Sequence, residues 1–73
     1  MEILSERLLE LRKSSGLTRQ AVAEAVHIVV RTYQRYENSE REPTAFVLVA
    51  LADFYGVSID YLTGRTDKRD VNR

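Results

Sequence analysis

The 73 residues contain no cysteine. Disulfides, thiolate nucleophiles and cysteine-ligated zinc or iron–sulfur sites are therefore excluded. The single histidine, His27, rules out a multi-histidine metal site and leaves little material for acid–base chemistry. No pair of titratable residues converges with a nucleophile, so no enzyme, cofactor or metal is expected. No apolar run approaches the ~20 residues that cross a bilayer, and no charged-then-apolar leader opens the chain. A cytoplasmic location is expected, with no membrane partner and no small-molecule ligand. One small domain is the most that this length allows, and a core of this size supplies only ~3–5 kcal/mol. A partner subunit would add to that.

What is present fits a folded chain. The hydrophobic share is 44% and the charged share 30%, which places the sequence among globular rather than disordered chains. The formal net charge is zero, which looks wrong for a nucleic-acid binder, but the average hides a pattern. Residues 1–11 are acidic. Residues 12–41 hold Arg12, Lys13, Arg19, Arg31, Arg35 and Arg41 against Glu24, Glu37 and Glu40. Residues 42–64 carry only Glu42, Asp53 and Asp60, and residues 65–73 are basic again. A basic middle between acidic flanks suits a local phosphate-facing surface on a neutral protein, or a merely solvated exterior.

Leu4, Leu8 and Leu11 recur at helical spacing before Ser14, Ser15 and Gly16, predicting a helix over about 3–14 with a left-handed cap. Thr18 is a good N-cap for a second helix over about 19–26, with Val22, Ala23 and Val26 as its stripe. Tyr33 and Tyr36 mark a third, over about 30–38, and their spacing makes them core residues. Residues 38–43 read as a loop closed by Pro43. Thr44 caps a nearly all-apolar helix over 45–55, which Gly56 ends. Ser58 caps a last short helix, Ile59 to about Thr63, with Asp60 well placed for its dipole, and Gly64 stops it. The fold class is all-α, with five helices. Residues 1–64 form the domain, and 65–73 are expected to fray as a charged tail.

The decisive stretch is Leu17 to Pro43, where two short helices are joined by about three residues and the second carries polar residues outward. That is the helix-turn-helix arrangement, in which the first helix braces against the DNA backbone and the second enters the major groove. The chain resembles the lambda-repressor/Cro-type (XRE-like) helix-turn-helix regulators over about residues 3–64. The residues that carry the resemblance are Leu8-x-x-Leu11-Arg12, Gly16-Leu17-Thr18, Val22-Ala23-Glu24, Arg35-Tyr36-Glu37-Asn38, Arg41-Glu42-Pro43-Thr44, Leu51-Ala52, and Gly56-Val57-Ser58-Ile59-Asp60-Tyr61-Leu62.

The resemblance implies a compact five-helix domain, usually dimeric on a pseudo-palindromic operator. It implies that Val30, Arg31, Thr32 and Arg35, with Gln34 nearby, face base edges or flanking phosphates. Arg31 is the leading candidate for specificity, because a guanidinium makes two parallel hydrogen bonds to guanine O6 and N7. Arg35 has a glutamate as an alternative partner. Thr18 and Arg19 at the start of the second helix, and Asn38 and Arg41 in the loop, are placed on phosphates. Arg19 stands where the family commonly has Gln. Arg12 and Glu37 are placed as a structural salt bridge. Four positions depart from the pattern: His27 at the turn glycine, Val29 at the helix-3 cap, Ser39 at a glycine, and Glu40 at a position that is often Lys. His27 is expected to need a positive φ, and Val29 cannot accept a capping hydrogen bond.

Leu48, Leu51, Ala52 and Tyr55 suffice for the inner stripe of the fourth helix, which leaves Phe46, Val49 and Ala50 in excess. A homodimer interface through these residues, extended by Tyr61 or the residues just after it, is expected. The reading is a sequence-specific, dimeric repressor that binds double-stranded DNA at an inverted-repeat operator. The alternative is a protein-interaction module, an antitoxin or dimerisation partner, on the same fold with a weakened DNA face.

Overall fold

The leucine stripe at the start of the sequence becomes the floor of the core. Leu4, Leu8 and Leu11 are all buried along α1 (Glu2–Ser14). The computed structural model describes residues 2–69, and four more helices follow in it: α2 (Arg19–Ala25), α3 (Val30–Glu37), α4 (Ala45–Tyr55) and α5 (Ile59–Leu62). No strand occurs among the described residues. Val22, Ala23 and Val26 from the α2 segment, Tyr33 and Tyr36 from α3, Leu51 and Ala52 from α4, and Val57, Tyr61 and Leu62 complete one core cluster.

Starts and stops follow from local chemistry. The Thr18 Oγ1 accepts from the Ala21 amide at 3.1 Å, the Ser58 Oγ from Tyr61 at 2.9 Å, and the Thr44 Oγ1 from Val47 at 3.4 Å. Each of these side chains satisfies an amide that the first turn leaves orphaned. Val29 caps α3 with no side-chain hydrogen bond.

All five helices end in the same way. A residue at positive φ donates to the carbonyl three residues back, and the next residue donates to the carbonyl five back; after α1 these are Gly16 to Lys13 at 3.1 Å and Leu17 to Arg12 at 3.2 Å. This is the Schellman ending, which favours glycine at the left-handed residue. Glycine fills that place after α1, α4 and α5. After α2 it is His27 and after α3 it is Ser39, both at φ 60. The two L-residues forced into this region therefore bracket α3. Ser39 is compensated by its side chain: its hydroxyl lies 2.6 Å from that of Ser5, which itself donates to the Tyr36 carbonyl at 2.7 Å.

Helices α1, α2 and α3 are joined through one carboxylate. Glu37, whose side chain is 1% exposed, receives Arg12 Nε at Oε2 (2.6 Å) and Arg12 Nη2 at Oε1 (3.2 Å). Arg19 Nε also donates to Oε1, at 3.1 Å. Arg12 Nη1 reaches the Leu17 carbonyl at 3.1 Å and so fixes the α1–α2 connection as well. Burial alone pushes the Glu37 carboxyl upward, but the hydrogen bonds from Arg12, Tyr33 and Arg19 outweigh it and hold it below the usual carboxylate range. Beside it, the fully buried Tyr33 shares a hydroxyl–hydroxyl bond of 3.0 Å with Tyr55, which ties α3 to α4. Burial, reinforced by the Tyr55 hydroxyl, pushes the Tyr33 phenol far above its ordinary value.

One expectation needs correction. Tyr61 is 5% exposed and does not extend an open face. Arg7 stacks on its ring at 4.1 Å, and Arg69 approaches the same ring at 5.6 Å. The start of the tail, expected to fray, lies in contact with the domain. Arg7 donates to the Thr66 carbonyl at 2.6 Å and to Asp67 Oδ1 at 2.8 Å, and Arg69 pairs with Glu10 at 2.9 Å. The Ser58 amide donates to the Arg69 carbonyl at 3.0 Å. Residues 65–69 thus lie across α1 and α5, while the rest of the expected tail, 70–73, falls outside the described residues.

Replacing His27 by Gly removes left-handed strain and should stabilise the fold by about 0.5–1 kcal/mol, raising the melting temperature by about 4 °C. Ser39→Gly should gain less, because the Ser5 contact is lost; calorimetry on both variants checks the order. Glu37→Gln should cost about 3 kcal/mol at neutral pH, since it leaves buried cationic charge uncompensated. The folded Glu37 carboxyl titrates below its unfolded value, near ~4.3, so its stabilisation is complete above that pH and is lost as pH falls through the folded value. The difference between parent and variant should therefore shrink below about pH 4 in urea unfolding; parallel acid limbs would contradict this.

Candidate nucleic-acid interface

Helix α3 has two unlike faces. Tyr33, Tyr36 and Glu37 are buried against the rest of the chain, while Arg31, Gln34 and Arg35 are exposed on the opposite side. The i, i+3, i+4 spacing of these outward residues places them on one stripe. Val30 and Thr32 are half-buried, and Val30 packs against the core. The interior pairing that anchors α3 therefore also determines which residues face out.

Arg31, Gln34, Arg35, Asn38 and Glu40 line one open hollow of about 190 Å³ along the outer face of α3 and the loop after it. Neither Arg31 nor Arg35 forms an ion pair among the described residues, so the glutamate alternative for Arg35 is not realised there. Two free guanidinium groups one helical turn apart form a donor-rich, cationic surface that suits phosphate oxygens and guanine edges. Glu40 enters the same hollow, held by an Asn38 Nδ2–H to Oε1 bond of 3.3 Å and by its own amide on the Arg35 carbonyl at 2.9 Å. Its carboxylate lowers the local positive potential.

The residues expected on phosphates are placed less uniformly. Thr18 is exposed, and its hydroxyl oxygen serves as the α2 cap. Asn38 and Arg41 are exposed in and beside the loop after α3. Arg19, also on the surface, is engaged by Glu37, a contact that helical periodicity does not reveal because it bridges positions 18 residues apart. The hint available in the sequence was an arginine in place of Gln beside an already paired Glu37. On α4, Phe46 is 90% exposed and Val49 44% exposed, while Ala50 is half-buried against the core. No described helix is long and apolar enough to cross a membrane.

Comparison with known proteins agrees with this geometry. A helix-turn-helix family model matches residues 8–62. An uncharacterized HTH-type transcriptional regulator of Bacillus subtilis strain 168, YobD, is 42% identical over 65 residues, covering 89% of this chain and 58% of the relative. The HTH-type transcriptional regulator ImmR of the same strain is 36% identical over 69 residues, 94% of this chain and 54% of its own length. The cryptic phage CTXphi transcriptional repressor RstR of Vibrio cholerae serotype O1 is 39% identical over 62 residues, 85% and 55% of the two chains. The chain spans little more than half the length of these curated relatives. With its two-helix unit, outward polar α3 stripe and a family match over most of its length, the chain belongs to the helix-turn-helix family of the lambda-repressor/Cro type.

Proposed function

We propose that this chain is a sequence-specific, double-stranded DNA-binding transcription regulator that acts as a dimeric repressor in the cytoplasm. The observation that carries the reading is the α3 stripe of Arg31, Gln34 and Arg35, exposed and backed by buried Tyr33 and Tyr36. A helix presented in this way fits a major groove ~12 Å wide, where every base pair offers a distinct donor–acceptor pattern. Arg31 takes the base-reading role, with Arg35 and Gln34 beside it. Val30 and Thr32, being half-buried, offer only their outer atoms, and Val30 is suited to a thymine methyl. Thr18, Arg19, Asn38 and Arg41 serve the phosphate backbone. That one of the relatives is named as a transcriptional repressor supports the repressor role.

The dimer face in this reading is Phe46 and Val49 of α4, with Ala50 at its edge. A phenylalanine 90% exposed has nothing among the described residues to cover it. A two-fold copy would place the two α3 helices one DNA turn, ~34 Å, apart on an inverted repeat.

Two measurements test this. Selection from a random duplex pool should return an inverted repeat, and Arg31→Ala should weaken binding to it by about 10-fold to 100-fold, as expected from ~1–3 kcal/mol of lost readout. The fold should remain intact, because Arg31 is exposed. Enrichment of no sequence, together with capture of a protein partner, would establish the interaction-module reading instead. In sedimentation at tens of micromolar the parent should run as a dimer and Phe46→Ser as a monomer that keeps the parent's helix content but melts lower, because it loses the stabilisation that association adds. A monomeric parent would remove the dimer.

A further inference from the structure

Arg19 opens α2 with a side chain 42% exposed, beside a Glu37 side chain that is 1% exposed. Two guanidinium cations face that one carboxylate, so one unit of positive charge stays uncompensated. The two arginines are not equivalent. Arg12 is 12% exposed and fully engaged: Nε and Nη2 on Glu37, Nη1 on the Leu17 carbonyl. Arg19 gives Glu37 only its Nε, at 3.1 Å. Its two Nη groups have no partner among the described residues. A guanidinium held at Nε is restrained at its base and leaves its terminal nitrogens with hydrogens for a second acceptor. That end-on pair matches two oxygens of a phosphate.

We propose that Glu37 is a positioning residue for nucleic-acid binding, orienting Arg19 so that its terminal fork meets a backbone phosphate of the duplex. The inference rests on the DNA-binding reading above and adds to it a second task for a carboxylate otherwise explained by stability. The excess charge of the triad is carried by its exposed member, and the oriented fork surrenders little side-chain freedom when it binds. A lysine at position 19 would keep the charge but offer neither the Nε anchor nor the fork.

The test compares the parent with Arg19→Lys and Arg19→Ala on a fluorescein-labelled duplex of mixed sequence, by anisotropy across a salt series. Arg19→Lys should bind about threefold to tenfold more weakly with the salt slope unchanged. Arg19→Ala should weaken binding further and reduce the slope by about one unit. Lysine binding as tightly as arginine would overturn the proposal while leaving DNA binding in place. A second readout is independent of DNA. In side-chain nitrogen NMR of the free parent, the Arg19 Nε–H should exchange with water much more slowly than that of Arg31. Equal exchange rates would overturn the Glu37 anchor. A parent that binds neither the mixed duplex nor any pool-selected duplex overturns the DNA reading and the phosphate contact with it.

Discussion

The Glu37 carboxylate is where three helices meet, and the placement of α3 depends on it. Arg12 reaches it from α1, Arg19 from α2, and Glu37 itself closes the last turn of α3. An ion pair taken out of water is not in itself a large source of stability, because desolvation offsets much of the attraction. Its directional value is greater. The two-point contact with Arg12 fixes the roll of α3 about its own axis, since a rotation that kept Tyr33 and Tyr36 inside but moved Glu37 would strand a charge. The roll decides which residues look outward, so a contact on the interior side sets the direction of Arg31 and Arg35.

The ends of α3 are handled differently from those of the other helices. Its start lacks a side-chain cap, and both of its flanking left-handed residues carry a Cβ. Position 39 recovers part of that cost through the hydroxyl pair with Ser5, which also fastens the end of α3 to α1. Position 27 shows no such return among the described contacts. Tertiary packing, chiefly Tyr33 on Tyr55 and the Glu37 contacts, holds the helix where local sequence preference alone would leave it weak.

Much of this was legible in the sequence, because it rested on local chemistry. Leucine spacing, the capping Thr18, Thr44 and Ser58, and the three glycines located the helices to within a residue or so at each end. The outward stripe of α3 was legible for the same reason, as the complement of the tyrosine stripe. Periodicity does not reveal contacts that depend on how helices pack. The Tyr33–Tyr55 hydroxyl pair spans 22 positions, and the Ser5–Ser39 pair spans 34. Tyr61 was misplaced because a lone aromatic on a four-residue helix is equally consistent with an interface and with a lid of arginine. Only the return of residues 65–69 decides between these.

That return also shapes the molecule's long-range field. Arg7 is paired with Asp67 and Arg69 with Glu10, so two cations outside the α2–α3 region cancel against nearby acids. The guanidinium groups of Arg31 and Arg35 have no ion pair among the described residues and only Glu40 beside them, α4 carries the acid Asp53, and Asp60 of α5 faces Arg65 at 3.9 Å. A chain whose charges sum to zero has no net pull on a polyanion, so any attraction comes from a local surface such as the arginine side of α3. Such an attraction is short in reach and is lost when that side is turned away.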